Sequence, residues 1–181
     1  RAVVDAERVA AERLELLGLV ESYRRAKDRL GWVEFADLMA QAATIAERAP
    51  EVSTMLREQY RVLLLDEYQD TSSAQATLLT TLFSGPTVAE GRGHPVTAVG
   101  DPYQSIYGWR GAAASNIAEF PTSFPKADGT AANAYSLRVN RRSGPEILDG
   151  ANVVAQGLQS DPAMPHLPGV DFTLHAAPGQ E

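Results

Sequence analysis

The sequence contains no cysteine. That excludes disulfides and thiolate-bound metal, and it fits a reducing compartment such as the cytoplasm. No uninterrupted apolar run approaches the ~18 residues that a membrane-spanning helix needs. The charged, helix-prone start from Arg1 to Ala11 lacks the pattern of a signal peptide. The expectation is a cytoplasmic chain with no membrane partner. Positive charge is also scarce: 16 Lys and Arg stand against 23 Asp and Glu, for a formal net charge of -7. Such a balance argues against a nucleic-acid surface spread over the whole molecule. It leaves room for a local groove in which stacking aromatics and a few arginines do the binding.

What is present is ordinary for a globular protein: 44% hydrophobic and 22% charged residues in a chain of 181, enough for one domain or pieces of two. Residues 3–30 are rich in Ala, Glu, Leu and Arg, contain no proline, and predict one long helix whose apolar face includes Val9, Leu14, Leu17 and Leu30. Gly31 ends it, a second helix is expected over 32–49 with Pro50 as its stop, and a short third over 52–59. Residues 61–65 read as a nearly all-apolar strand of the kind buried on both faces of a sheet. A polar loop over 66–71 leads to a helix over 73–83 capped by Ser72 or Ser73. After a surface loop over 85–93, residues 95–99 predict a second buried strand running into Asp101. Further on, the pattern gives a helix over 112–120, a linker over 121–129, strands over 134–137 and 170–175, a helix over 145–158 and a proline-rich loop over 160–168. Alternating apolar strands and helices predict an α/β fold with a mostly parallel sheet.

Two strand exits carry the chemistry. Leu63-Leu64-Leu65-Asp66-Glu67 places two carboxylates directly after a strand, and in a parallel sheet the carboxyl ends of strands form the ligand crevice. An aspartate there can hold Mg²⁺ through hard oxygen ligands and water, and a neighbouring glutamate can orient the water that attacks a phosphate. A solvated turn explains the same two residues equally well. The second exit, Val99-Gly100-Asp101-Pro102-Tyr103-Gln104-Ser105-Ile106-Tyr107-Gly108-Trp109-Arg110-Gly111-Ala112, offers an amide in Gln104, stacking rings in Tyr107 and Trp109, and a cation in Arg110. Taken singly, the rings read as core packing and Arg110 as a surface ion pair.

The whole strings narrow the choice. Asp66-Glu67-Tyr68-Gln69-Asp70-Thr71 resembles motif II, the Walker B box, of the UvrD/Rep/PcrA family of superfamily 1A DNA helicases. Residues 99–112 resemble motif III of that family almost letter for letter, and Phe35-Ala36-Asp37-Leu38-Met39 resembles the helical segment that precedes motif II. Leu137-Arg138-Val139-Asn140-Arg141-Arg142-Ser143 is similar to motif IV, whose pattern is Leu-x-x-Asn-Tyr-Arg-Ser. The resemblance implies a partial RecA-like P-loop NTPase sheet preceded by a helical segment of an inserted subdomain. Residues 1–31 would then end subdomain 1B, 32–128 form the second half of motor domain 1A, and 129–181 begin motor domain 2A. It implies ATP and Mg²⁺ as ligands, with Asp66 on the metal, Glu67 catalytic, and Gln104 and Arg142 on the γ-phosphate. It further implies Tyr107, Trp109 and Arg110 on single-stranded DNA, with Gln69, Asp70 and Asp101 coupling the two sites. Arg141 replaces the tyrosine that stacks on adenine, and an arginine plane can also stack. Ser143 would serve equally as an N-cap for the helix at Pro145.

The implied activity is ATP-driven 3′-to-5′ translocation on, and unwinding of, DNA in repair or recombination. The string around Gly108-Trp109-Arg110 also resembles the motors of actinobacterial helicase–nuclease complexes, implying a partner helicase–nuclease subunit. No Gly-x-x-x-x-Gly-Lys-Ser/Thr occurs in the 181 residues, so the chain reads as an internal piece, inactive alone, with the hydrolysis carboxylates but not the loop that grips phosphate. A helicase-like module that binds DNA or a protein without ATP turnover is the alternative.

Overall fold

A computed structural model describes residues 2–161, 164, 167 and 170–179, with side chains from residue 7 onward. Most of the expected proline-rich loop over 160–168 lies outside the described residues. The chain divides into two compact units, Arg1–Gln41 and Ala42–Glu181.

The first unit is built on α1, Ala2–Leu30. Its apolar residues Val9, Leu14, Leu17 and Leu30 are all exposed, so the expected apolar face is left uncovered within the unit. The helix ends in a Schellman motif. Gly31 adopts φ 65, its N–H donates to the Asp28 carbonyl, and the Trp32 N–H donates to the Lys27 carbonyl. This turn uses up residues 31–34, so α2 runs over Phe35–Arg48 and starts three residues later than the sequence pattern suggests. Asp37 takes the Glu34 N–H at 3.0 Å, as the inward half of a capping box does. Lys27 closes the corner. Only 8% exposed, its Nζ donates to Glu34 Oε1 at 2.8 Å and to Asp37 Oδ2 at 2.6 Å, while the Tyr23 hydroxyl donates to Glu34 Oε2 at 2.8 Å. These bonds lower the Asp37 and Glu34 pKa values, Lys27 being the first cause for both, and raise those of Lys27 and Tyr23.

In the second unit, α3 spans Pro50–Gln59. Pro50 is its first residue and not merely a stop for α2, because a first-turn position needs no N–H donor. β1, Leu63–Leu65, pairs in parallel with β2, Val96–Ala98, in the register Leu63↔Val96, Leu64↔Thr97, Leu65↔Ala98. The expectation of strands buried on both faces is not met: Leu64 is 79% exposed, since nothing among the described residues covers that face. Between the strands runs α4, Ser73–Phe83, begun by a full capping box between Ser72 and Gln75. It packs against α3, whose Arg57 donates to the Leu82 carbonyl at 2.7 Å.

α5 covers Ser115–Ser123, starting later than expected and continuing through Pro121, so the linker begins beyond it. Its face carries Ile117, Phe120 and Phe124 into the core. Phe120 meets Tyr68 edge-on at 5.3 Å and stacks on Phe124 at 4.8 Å. Residues 134–137 form no strand. β3 is Val139–Asn140 and pairs in parallel with β4, His175–Ala176, a shorter and later strand than the expected 170–175. α6, Pro145–Gln159, seats Leu148 in the core, and its Asn152 side chain holds both the N–H and the carbonyl of Leu174 at 2.9 Å. The fold is thus α/β, with short parallel strand pairs flanked by helices, and both chemistry-bearing loops leave the carboxyl ends of β1 and β2.

Candidate functional site

Two consecutive residues follow β1 with opposite demands. Asp66 is exposed, and its Oδ1 accepts the Glu67 N–H at 3.0 Å, leaving Oδ2 without a partner among the described residues. Glu67 is also exposed and sits at φ 50, ψ 42, the only non-glycine residue with positive φ among the described residues. The backbone then turns tightly through Tyr68–Asp70 and dives into the core. The expected polar loop therefore holds the largest fully buried side chains among the described residues, Tyr68 and Gln69. Burial, then the Glu119 charge, raises the Tyr68 pKa.

Gln69 joins the two loops. It is 1% exposed, its Nε2 donates to Glu67 Oε2 at 2.7 Å, and its Oε1 accepts the Asp101 N–H at 3.0 Å. The Ser105 hydroxyl donates to the Gln69 carbonyl at 3.1 Å, and the Tyr68 N–H to the Val99 carbonyl at 3.0 Å. On the far side Asp101 caps its own turn, accepting the Tyr103 N–H at 2.9 Å and the Gln104 Nε2–H at 2.9 Å. A hydrogen-bonded path thus runs Glu67, Gln69, Asp101, Gln104. Asp70 does not enter it. Its N–H donates to the Glu67 carbonyl at 2.9 Å, while its Oδ1 is buried without a partner.

The second loop continues into an aromatic cluster. Tyr107 and Trp109 lie 6.4 Å apart between ring centroids, and the Arg110 guanidinium stands 5.6 Å from the first ring and 5.7 Å from the second. Trp109 is 81% exposed and Tyr107 39% exposed, so among the described residues neither ring is core packing, and Arg110 makes no ion pair there. Gly111, at φ 89, ends the turn. Asn116, buried on α5, anchors the stem by donating to the Thr71 carbonyl at 2.6 Å, a contact that nothing in the sequence pattern announces.

Arg141 and Arg142 are exposed, and their side chains make no hydrogen bond or ion pair among the described residues, so the structure does not join them to the Glu67–Gln104 path. Asn140 shapes their turn, its Oδ1 accepting the Arg142 and Ser143 N–H groups at 2.8 Å each. Ser143 is not the N-cap of α6: Gly144 holds that position, because the Ser143 backbone is already committed to Asn140. Phe172 packs edge-on against Tyr103 at 5.0 Å, so the segment carrying β4 also touches the second loop.

The family model for the UvrD/REP helicase N-terminal domain matches residues 6–125. The chain belongs to the UvrD/Rep helicase family. It is 38% identical over 136 residues to DNA helicase II of Escherichia coli (strain K12), covering 75% of this chain and 17% of that protein. To the ATP-dependent DNA helicase PcrA of Leuconostoc citreum it is 37% identical over 133 residues, 74% of this chain and 16% of the relative. The PcrA of Staphylococcus aureus (strain Mu50) gives 38% over 132 residues, with 73% and 16% covered. The chain therefore spans about a sixth of the length of these curated helicases. The stretch matched to the UvrD/Rep family contains both strand-exit loops whole, and its α/β fold with parallel strands is that of a partial RecA-like helicase domain. Arg141 and Arg142 fall outside the residues that the family model matches.

The donor set of the UvrD/Rep loops suits the ligands implied by the resemblance. Asp66 presents a free carboxylate oxygen to solvent, the hard donor that Mg²⁺ takes while keeping most of its water. Among the described residues no three acidic or histidine side chains cluster as a metal cage, so an ion here would be shared with phosphate oxygens and water. No helix among the described residues is long and apolar enough to cross a membrane.

Proposed function

We propose that this chain is part of the motor of an ATP-dependent 3′-to-5′ single-stranded DNA translocase and helicase acting in DNA repair or recombination. The observation that carries the proposal is the continuity of its two loops. The carboxylate of Glu67 connects through Gln69 and Asp101 to the Gln104 amide, and three residues beyond Gln104 the same loop opens into the exposed Tyr107–Trp109–Arg110 cluster. One short segment thus presents a group suited to phosphate at one end and π-faces suited to bases at the other.

In this reading Asp66 holds Mg²⁺, whose charge assists departure of the terminal phosphoryl group when ATP is bound. Glu67 orients the attacking water and takes its proton. Gln104 meets the γ-phosphate. Tyr107 and Trp109 stack on DNA bases regardless of their identity, and Arg110 lies against both rings, where it can meet a DNA phosphate. Gln69 and Asp101 couple the two ends through that path, and Asp70, which stands outside it, is assigned to coupling by the family resemblance alone. Arg142 reaches the γ-phosphate from the following domain, and Arg141 stacks on the adenine. The corresponding divisions are residues 1–31 closing subdomain 1B, 32–128 in motor domain 1A and 129–181 opening motor domain 2A. The partners are single-stranded and duplex DNA and, by the likeness of Asp101-Pro102 and the string around Gly108-Trp109-Arg110 to helicase–nuclease motors, a second helicase–nuclease subunit. A chain without cysteine suits work in the cytoplasm.

The deciding experiment is Glu67→Gln in the full-length protein. The shape is kept and the base removed, so ATP binding should persist while DNA-stimulated turnover falls about 10²-fold or more. Normal turnover would remove Glu67 from catalysis. A full-length protein that binds DNA but never turns over ATP would be the non-hydrolysing module instead.

A further inference from the structure

Glu67 occupies a left-handed backbone conformation that residues with a Cβ rarely adopt, and among the described residues its carboxylate has one side-chain partner, Gln69 Nε2 at 2.7 Å. Gln69 is itself fixed from the other side. A backbone N–H can only donate, so the Asp101 N–H at 3.0 Å must meet the amide oxygen, and the amide NH₂ must face Glu67. Chemistry thus settles which way the amide points. The side chain is buried to 1% exposure, and the Ser105 hydroxyl holds the Gln69 backbone through its carbonyl. Gly100 provides the space: a Cβ there would lie 2.5 Å from Gln69 Oε1 and 2.8 Å from Ile117 Cδ1.

Resting on the catalytic role given to Glu67, we propose that Gln69 is a positioning residue. Its amide aims the Glu67 carboxylate by binding Oε2, which leaves Oε1 for the attacking water, and ties that aim to the Asp101 backbone. Any shift of the turn that holds Gln104 then moves the catalytic carboxylate as well. Only a group that accepts on one side and donates on the other can fill this place.

The test is made in the full-length protein with Gln69→Ala, Gln69→Glu, Gly100→Ala and Glu67→Gln, each checked for folding by circular dichroism. Gln69→Ala should lower kcat about tenfold or more at every pH, with KM for ATP changed less than about threefold, because an aimed group is lost and substrate contacts are not. Gln69→Glu is nearly isosteric but turns the donor that faces Glu67 into a second acceptor, so it should lower kcat at least as far as Gln69→Ala does, again with KM for ATP changed less than about threefold. Gly100→Ala should also lower kcat, and should cost less in the Gln69→Ala background, where the amide it displaces is gone. A Gln69→Glu or Gln69→Ala variant that folds and keeps the unmodified protein's kcat overturns the proposal, and so does a loss that lies in KM and not in kcat. Turnover that survives Glu67→Gln defeats the underlying catalytic reading instead, whereas an inactive Glu67→Gln beside an unaffected Gln69→Glu defeats only the positioning role.

Discussion

Gln104 Nε2 donates to Asp101 Oδ2 at 2.9 Å, and the other oxygen of that carboxylate accepts the Tyr103 N–H at 2.9 Å. One aspartate therefore caps a 3₁₀ turn over Pro102–Gln104 and holds the exposed amide proposed to meet the γ-phosphate. Asp101→Ala in the full-length protein removes both acceptors. The turn should lose ~1 kcal/mol of local stability, and KM for ATP should rise about three- to tenfold as the amide loses its preset position. Steady-state ATPase measurements check this. An unchanged KM would mean that Gln104 needs no tether at Asp101 to find its phosphate.

Asp66 supplies a separate prediction because its two oxygens have different duties. Oδ1 holds the Glu67 N–H, and Oδ2 has no partner among the described residues. Asp66→Ala should raise the free Mg²⁺ required for half-maximal turnover by about tenfold or more, measured by titrating Mg²⁺ at fixed nucleotide. The same Mg²⁺ curve as the unmodified protein would place the metal's protein ligand elsewhere.

The parts of the fold legible in the sequence are those with local causes. α4 begins and ends where expected because Ser72 and Gln75 cap it within one turn, and α1 ends at Gly31 because a Schellman motif needs only that glycine and its neighbours. Errors arise where the cause is distant. One exception is local: α2 starts late because the turn after Gly31 takes up residues 31–34. Gln69 looks like one polar residue in a polar loop, yet it is buried because its partners, Asp101 and Ser105, come from 32 and 36 residues further on. Leu64 reads as core and is exposed because burial of a strand depends on layers that its own sequence does not specify. The site shows the same division. The motif strings name Glu67, Gln104 and Trp109, but only geometry shows the path between the first two, the gap that Gly100 leaves for it, and the Asn116 anchor.

The corner between α1 and α2 should carry its own pH dependence. Hydrogen bonds from Lys27 and the Glu34 N–H lower the Asp37 pKa, and those from Lys27 and Tyr23 lower that of Glu34. A carboxylate with a depressed folded-state pKa contributes stability above its unfolded value, about 4, and loses it as pH falls through the folded one. Lys27 is shifted upward, by Asp37 first and Glu34 second, so its contribution holds at neutral pH and is lost only as pH rises through the raised value, above about 10.5. The stability of this corner should therefore be level from about pH 5 to about 10 and decline on both sides. Lys27→Met should lower Tm at pH 7 and reduce the acid decline, because the two carboxylates lose the cation that sets their shifts. Equal Tm and an equal acid limb in the variant would show that the cluster does not hold the corner.

Trp109 offers the sharpest separation between a ligand track and ordinary packing. Its ring is 81% exposed, 6.4 Å from Tyr107 and 5.7 Å from the Arg110 guanidinium, so removing it opens no cavity among the described residues, and in the base-track reading the rest of the protein leaves it open as well. Trp109→Ala in the full-length protein should change stability by no more than about 0.5 kcal/mol, whereas a tryptophan in the core would cost ~3–5 kcal/mol. Affinity for single-stranded DNA should fall by ~1–3 kcal/mol, the worth of one stacked base. Both proteins must be titrated at the same ionic strength, because phosphate contacts weaken steeply with salt and would mask a stacking difference. Stacking carries little charge, so the salt slope should be the same in the variant and the unmodified protein, while Arg110→Ala should flatten it if Arg110 meets a phosphate. A Trp109→Ala protein that melts early and binds DNA normally would make the exposed ring a structural element, and the base track would have to be sought elsewhere.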